Sequence, residues 1–363
     1  MSEPNLLYTD VEDDLRSSVR ALLADRCDPH AVIALYDGDR SLVAPLWKAL
    51  AIDLGLAGLL VPEDRGGAGA SAREAAVVLE ELGRAVAPVP FLTSAVVATT
   101  ALAGTDGDLL AELAEGERTA ALAVPLPTTP YGVIPAVPAT GGRLTGTVTS
   151  VAGALEADVL LVPAATGDGL ALYGVAATDV TRVPVVSLDM SRQLADVRLD
   201  GAAGTPVIAN AEPAVRRALR AGAALLASEQ FGVARWCLDE TVGYLTQRRQ
   251  FGRVVGGFQA LKHRLADLAT GVDSANAAAR YAAALPAGDP DLELATALAQ
   301  AYCSDLAVTA AEEAVQLHGG IGMTWEHPAH LYLKRAKADQ IAFGTAGAHR
   351  ARLAGLVDLP GAP

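Results

Sequence analysis

Arg248-Arg249-Gln250-Phe251-Gly252, with Gln259 seven positions further on, lies between two long stretches of helical spacing. It sets a cationic fork, an aromatic ring, a glycine and an amide close together in the chain. A guanidinium can grip a pyrophosphate through paired hydrogen bonds. A Phe ring packs on another planar ring, and Gly252 permits a sharp turn. The set suits a phosphate-bearing, planar ligand. The same residues also read as a helix C-terminus, with cations favoured there, Gly252 as its cap and Phe251 in the core.

Outward from this stretch the spacing predicts helices over 214–247, 254–283, 291–317, 328–340 and 345–356, with Pro213 suited to a first turn. Between 119 and 210 the pattern changes to short apolar or alternating runs: Leu122 to Pro125, Leu144 to Val151, Val159 to Val162, Leu170 to Val175 and Val197 to Leu199. Turn residues separate them, and Gly141-Gly142 suits a hairpin. This is the pattern of antiparallel strands in a small sandwich or barrel. Residues 8–116 read as helical, with Thr9 or Asp10 as a first cap and Ser71 with Glu74 as a capping box. A helix is expected across 92–102, and Leu59 to Gly69 reads as an irregular loop. The expected class is α+β. Its parts are an N-terminal α domain (1–117), a middle antiparallel β domain (118–211) and a C-terminal helical bundle domain (212–363). The end of the chain, Leu359 to Pro363, reads as a frayed tail.

Composition narrows the function classes. Apolar residues make up 51% of the 363, so the chain is globular. A net charge of -14 argues against nucleic acid or an anionic membrane as partner. No apolar run approaches the roughly 20 residues of a membrane helix. The segment Met1 to Arg16 shows no secretory pattern. Cys27, Cys237 and Cys303 are too far apart for a metal pattern or a disulfide framework, and a reducing cytoplasm fits them. The six histidines show no metal-ligand spacing, so no metal site is expected.

Other motifs carry two readings each. Gln316-Leu317-His318-Gly319-Gly320-Ile321-Gly322 exposes backbone N–H groups that can cradle an anion, and it also terminates a helix. Trp325-Glu326-His327-Pro328 reads as the entry to the next helix, with Glu326 and His327 as bases only in second place. Asp189 and Arg192, in Ser187 to Arg192, read as a local structural pair.

Taken in order, these pieces resemble the acyl-CoA dehydrogenase family over about residues 8–356. The N-terminal part of the match is Leu54 to Gly58, Val61-Pro62-Glu63, Gly66 to Gly69 and Glu80 to Arg84. The more specific part is Tyr244, Arg248 to Gly252, Phe258-Gln259, Leu265-Ala266-Asp267, Gln316 to Gly322 and Glu326-His327-Pro328. The resemblance implies a C-terminal four-helix bundle, FAD as cofactor, and an acyl-CoA or other acyl thioester oxidised at its Cα–Cβ bond. It also implies an electron-transfer flavoprotein as acceptor and a cofactor shared between subunits. By motif matching, Arg248, Phe251 and Gln259 would bind FAD from one side. Gln316, Gly319 and Gly320 would reach a neighbouring subunit's FAD, and Thr345 would be a further contact.

The sequence departs from the family at the chemical end of the flavin. The residue before Gly344-Thr345, where many members carry the catalytic Glu, is Phe343. The alternative position falls near Gly222. Pro125 to Pro130 stand in place of the segment that meets the flavin ring, and Val148 to Ala152 in place of the strand that covers it. No catalytic residue is therefore assigned. The pattern resembles the base-lacking subunits of heterotetrameric, steroid side-chain acyl-CoA dehydrogenases, whose partner is a homologous base-bearing subunit. Two alternatives stay open. One is a self-sufficient enzyme, self-associating, with a base relocated to Glu229, Asp239, Glu240 or Asp339. The other is a non-redox thioester-binding scaffold.

Overall fold

Helix α7, Glu212–Gln247, is the longest described element; the N-terminal domain packs against it, and the middle domain reaches it through Arg192, which pairs with Glu229. The computed structural model describes residues 4–359. The frayed tail expected at 360–363 lies outside them.

The N-terminal domain consists of α1 (Asp10–Arg26), α2 (Pro29–Ala34), α3 (Val43–Lys48), α4 (Ala72–Ala85), a π-helical segment Phe91–Ala98, α5 (Thr99–Leu102) and α6 (Leu109–Ala114). Two capping boxes start the longest of these. Thr9 Oγ1 accepts from the Glu12 N–H while Glu12 accepts from the Thr9 N–H. Ser71 and Glu74 repeat the arrangement at α4. Each box satisfies donors that a helix start leaves unpaired. The helix expected across 92–102 is π-helical until Ala98 and α-helical only from Thr99.

The middle domain holds β1 (Ala120–Leu122), β2 (Val137–Thr140), β3 (Arg143–Ala152), β4 (Val159–Thr166), β5 (Gly169–Ala176), β6 (Thr181–Val185), β7 (Leu194–Ala203) and β8 (Thr205–Ile208). The strand order is β6-β7-β3-β2-β4-β5-β8, with β1 beside β4. The pairing is mostly antiparallel, with β1 and β2 both parallel to β4. Leu144, Val148 and Val197 from one half of the sheet share a core with Leu160, Val162 and Val175 from the other. The sheet is thus folded over on itself as a sandwich.

After α7, the short strands β9 (Arg249–Gln250) and β10 (Arg253–Val254) form a hairpin, followed by α8 (Gln259–Ala284), α9 (Leu292–His318), α10 (Ala329–Asp339) and α11 (Ala346–Leu356). Helix α8 starts at Gln259 rather than near 254, because Val254 pairs with Arg249 across the hairpin. Phe251 and Gly252 are the two turn residues, with φ of 52° and 72°. That pair of left-handed residues matches the twist of a two-residue hairpin.

Glycines set how closely α4 and α7 cross. A Cβ on Gly232 of α7 would lie 2.0 Å from the Glu80 carbonyl oxygen, and one on Gly83 of α4 would lie 2.2 Å from that of Glu229. Buried ion pairs tie α1 into the same region: Arg16 to Glu80 at 2.6 Å and Arg280 of α8 to Glu12 at 2.7 Å. Alanine is favoured over glycine inside a helix by about 1 kcal/mol, so Gly232→Ala tests the crossing against propensity. It is expected to destabilise the chain by about 1–3 kcal/mol in urea denaturation. Gly243→Ala, on the same helix with nothing within 4 Å of its Cβ, is expected to be neutral or stabilising.

Candidate functional site

Consecutive helices α7, α8 and α9 run up, down and up, so the end of α7, the start of α8 and the end of α9 meet at one end of the bundle. The Tyr244 and His318 rings stack there with centroids 4.5 Å apart. Arg248, Phe251, Gln259, Gln316, Gly319 and Gly320 are all exposed on that end. Phe251 is 89% exposed. Its backbone is left-handed, and Phe258 meets the ring edge-on at 6.3 Å. Space around Gly319 and Gly320 is open, with nothing within 4 Å of a Cβ. The surface can therefore receive a phosphate-bearing, planar group from outside the chain.

Thr345 is not part of that surface. It caps α11, accepting the Ala348 N–H at 3.3 Å. Arg350 on the same helix reaches the Ala301 carbonyl of α9 at 3.1 Å. Ala301 lies 17 residues before His318, about 26 Å along the helix at 1.5 Å per residue.

Thr345 belongs to a second region, where all four departures from the family pattern come together. The Phe343 ring lies on Gly222, within 2.7 Å of where a Cβ would stand. The two positions that would carry a base in the family are therefore in contact, and an aromatic ring fills the space between them. Leu126 accepts the Phe343 N–H at 2.9 Å, and the Leu126 N–H donates to Ser150 at 3.0 Å. Pro125 bridges to Val151. The lining residues Thr93, Val97, Leu122, Val124, Leu126, Ala152, Leu219 and Phe343 leave about 30 Å³ of space. That volume is on the scale of a single water molecule. The lining contains no carboxylate or imidazole, and its single hydroxyl, from Thr93, donates to the Pro90 carbonyl at 3.2 Å.

Phe343 is held from both sides. Its φ of 55° is left-handed, a conformation unfavourable for a bulky side chain. His349 Nε2 lies 3.2 Å from its carbonyl oxygen and therefore donates to it, which leaves Nδ1 to accept from Tyr131 Oη at 3.3 Å. Burial lowers the His349 pKa to about 4, so the ring is neutral and can both donate and accept.

None of the four alternative carboxylates reaches this region. Glu229 is seven residues beyond Gly222 on α7, about 10 Å along the axis. It accepts from Arg192 and Arg335, both at 2.5 Å. Asp339 is level with Gln230, whose Nε2 donates to its backbone carbonyl at 3.2 Å. Asp239 pairs with Arg84 and Arg235 near the far end of α7, and Glu240 follows it. The Asp189–Arg192 pair expected from sequence is not formed. Asp189 instead accepts from Arg335 at 2.7 Å, and Arg192 turns to Glu229. Sequence proximity suggested a local pair, whereas the partners come from α7 and α10.

Three comparisons bear on this arrangement. The profile of the acyl-CoA dehydrogenase N-terminal domain matches residues 9–116, and that of the C-terminal domain matches 213–356. Acyl-CoA dehydrogenase IpdE2 of Mycobacterium tuberculosis is 38% identical over 324 residues, 89% of this chain and 89% of that protein. The ChsE4-ChsE5 complex of Mycobacterium tuberculosis superposes with a TM-score of 0.86 at 29% identity, covering 99% of this chain and 100% of that one. A variant of the Tcur3481-Tcur3483 steroid ACAD gives 0.84 at 29% identity, covering 96% and 98%.

Asp189, Glu229 and Asp339 are buried, and among the described residues Arg192 and Arg335 are the cations paired with them. Burial, then the Glu229 charge, pushes Asp339 up to about 8. Burial also opposes ionisation of Glu229, but Arg192 and Arg335 outweigh it and hold that carboxyl below the usual range. The folded chain thus keeps a proton on Asp339 that the unfolded chain loses near pH 4. Its stabilising contribution is full below about pH 4 and is lost as pH rises through about 8. Asp339→Asn is expected to remove this dependence. Melting curves between pH 5 and 7 should fall with pH in the parent, with a limiting slope of about 1.4 kcal/mol per pH unit that fades above about pH 8, and much less in the variant.

Proposed function

The chain belongs to the acyl-CoA dehydrogenase family, and within it we propose that it is the subunit that completes an FAD site without carrying out proton abstraction. Its partner in this reading is a homologous, base-bearing subunit, and the assembly acts on the CH–CH group of an acyl thioester. An electron-transfer flavoprotein receives the electrons. The observation that carries the reading is the Phe343 ring seated on Gly222. It leaves neither a carboxylate nor space for a flavin ring with substrate beside it.

The two ends of the bundle fit FAD differently. At the Tyr244–His318 end, Arg248 offers a guanidinium to a phosphate, Phe251 a ring face, and Gly319 and Gly320 unobstructed backbone. Gln259 and Gln316 offer amides to polar edges. At the other end, Thr345 Oγ1 is taken up in capping α11, and the neighbouring cleft holds about 30 Å³. When bound, FAD supplies the hydride acceptor. This chain's residues hold the phosphate and adenosine part and leave acid–base work to the partner. A positioned base is worth roughly 10²–10⁴-fold in rate. A chain without one is therefore expected to depend on a partner for turnover.

The relocated-base alternative is not favoured, because Glu229, whose pocket shares Thr93 with the cleft, is held by Arg192 and Arg335. Purified alone, the chain is expected to show no flavin band and no thioester-dependent dye reduction. Co-expressed with a base-bearing homologue, the complex should carry FAD and turn over. Arg248→Ala in this chain should weaken FAD binding at least about tenfold, the loss of about 1.4 kcal/mol. Full turnover by the isolated chain would overturn the proposal.

A further inference from the structure

We propose that Glu240, His318 and His327 form a binding site for a divalent transition-metal ion of the zinc class. The three come from separate elements: the last third of α7, the final residue of α9, and the loop before α10. One ligand atom from each lies within 4.8 Å of the others.

The state of His318 points to an ion more strongly than the distances alone do. This residue is 2% exposed. Its Nδ1 lies 2.7 Å from the Ala314 carbonyl oxygen, which can only accept, so Nδ1 carries the proton. Nε2 is left with a lone pair, and it is buried without a partner among the described residues. A histidine that donates one ring N–H to a carbonyl and presents the other nitrogen bare is the usual form of a metal ligand. Leaving such an acceptor buried and unmade is unfavourable. Tyr244 covers one face of the ring at 4.5 Å, and His327 meets it at 4.2 Å.

His327 supplies the second imidazole. Its Nε2 is 3.9 Å from Glu240 Oε1. At present its Nδ1 accepts the Ala329 N–H at 3.2 Å. Ligation through Nε2 places the ring proton on Nδ1, so the ion replaces that contact. Glu240 is exposed and brings a carboxylate from the solvent side, which leaves an entry path and an open position. Tetrahedral bonds of about 2.0–2.1 Å place donor atoms about 3.3 Å apart. The site therefore closes when the ion enters, chiefly by movement of Glu240. Two imidazoles and one carboxylate suit Zn²⁺ or Co²⁺, and suit Mg²⁺ or Ca²⁺ poorly because those take oxygen ligands. Gly319 and Gly320 follow His318 directly, so an occupied site would fix the turn that carries them.

The test is a titration of tag-free, chelator-stripped, full-length protein with Co²⁺, followed by displacement with Zn²⁺. The expected result is one equivalent per chain, with the visible absorption of a four- or five-coordinate ion. Glu240→Ala and His327→Asn should each weaken binding at least about tenfold with circular dichroism unchanged. Glu240→Ala alters an exposed position and keeps the test valid if the histidine variant folds poorly. Binding well below one equivalent, or binding unmoved by Glu240→Ala, overturns the proposal. The readout involves neither flavin nor turnover, so it stands or falls apart from the subunit role.

Discussion

The Phe343 ring can lie where it does because position 222 of α7 carries no side chain. A single methyl group there would meet the ring at 2.7 Å and Val97 at 2.9 Å, and those side chains would have to shift. The α10–α11 connection is fixed by the Leu126 carbonyl on one side and by the Tyr131–His349 pair on the other. The contact therefore also sets the path of residues 125–131 and, through Ser150, the end of β3. Close-packed interiors have discrete arrangements rather than adjustable ones. Once the ring takes this place, the region is lined mainly by packed apolar side chains.

Helix α7 serves three contacts in sequence. Gly222 receives Phe343, Glu229 joins the ion cluster, and Gly232 lets α4 approach. The cluster binds the β6–β7 loop to α7 and α10 through Arg192 and Arg335. Buried ion pairs add little net stability over a well-packed apolar alternative, yet removing one partner is costly because a charge is left unpaired. The charge count, three acids against two guanidinium groups, balances only if one carboxyl keeps its proton. Asp339 keeps it because burial and the neighbouring Glu229 charge outweigh the pull of Arg192 and Arg335 on it. This polar cluster lies along α7 from the closed cleft and has a structural use of its own.

What the sequence revealed was local. Thr9 with Glu12 and Ser71 with Glu74 could be recognised because a capping box is complete within four residues. Gly141-Gly142 could be recognised for the same reason, as a two-residue turn with both residues left-handed. The start of α8 was misplaced because Val254 fits a helical pattern, while its pairing with Arg249 depends on the turn between them. Parallel pairing of β1 and β2 with β4 leaves no mark on alternation, which reports only which side chains face inward. Phe343 and Gly222 could be picked out one by one from their spacing to the motifs. Their mutual contact, 121 residues apart, could not. His318 was visible only as part of a glycine-rich helix end, since Glu240 and His327 approach it from other elements.

The central claim is a division of labour between the open end of the bundle, with Arg248 and Gly319, and the closed cleft at Phe343. The most direct measurement is the FAD content of the assembled complex with its base-bearing homologue. Flavin absorbance is read against native mass, so that cofactors are counted per pair of chains. The account predicts one FAD per pair, held in the homologue's cleft and gripped by this chain from outside. Two FAD per pair would contradict it, because the second could be seated only in a cleft that Phe343 and Gly222 leave no room for.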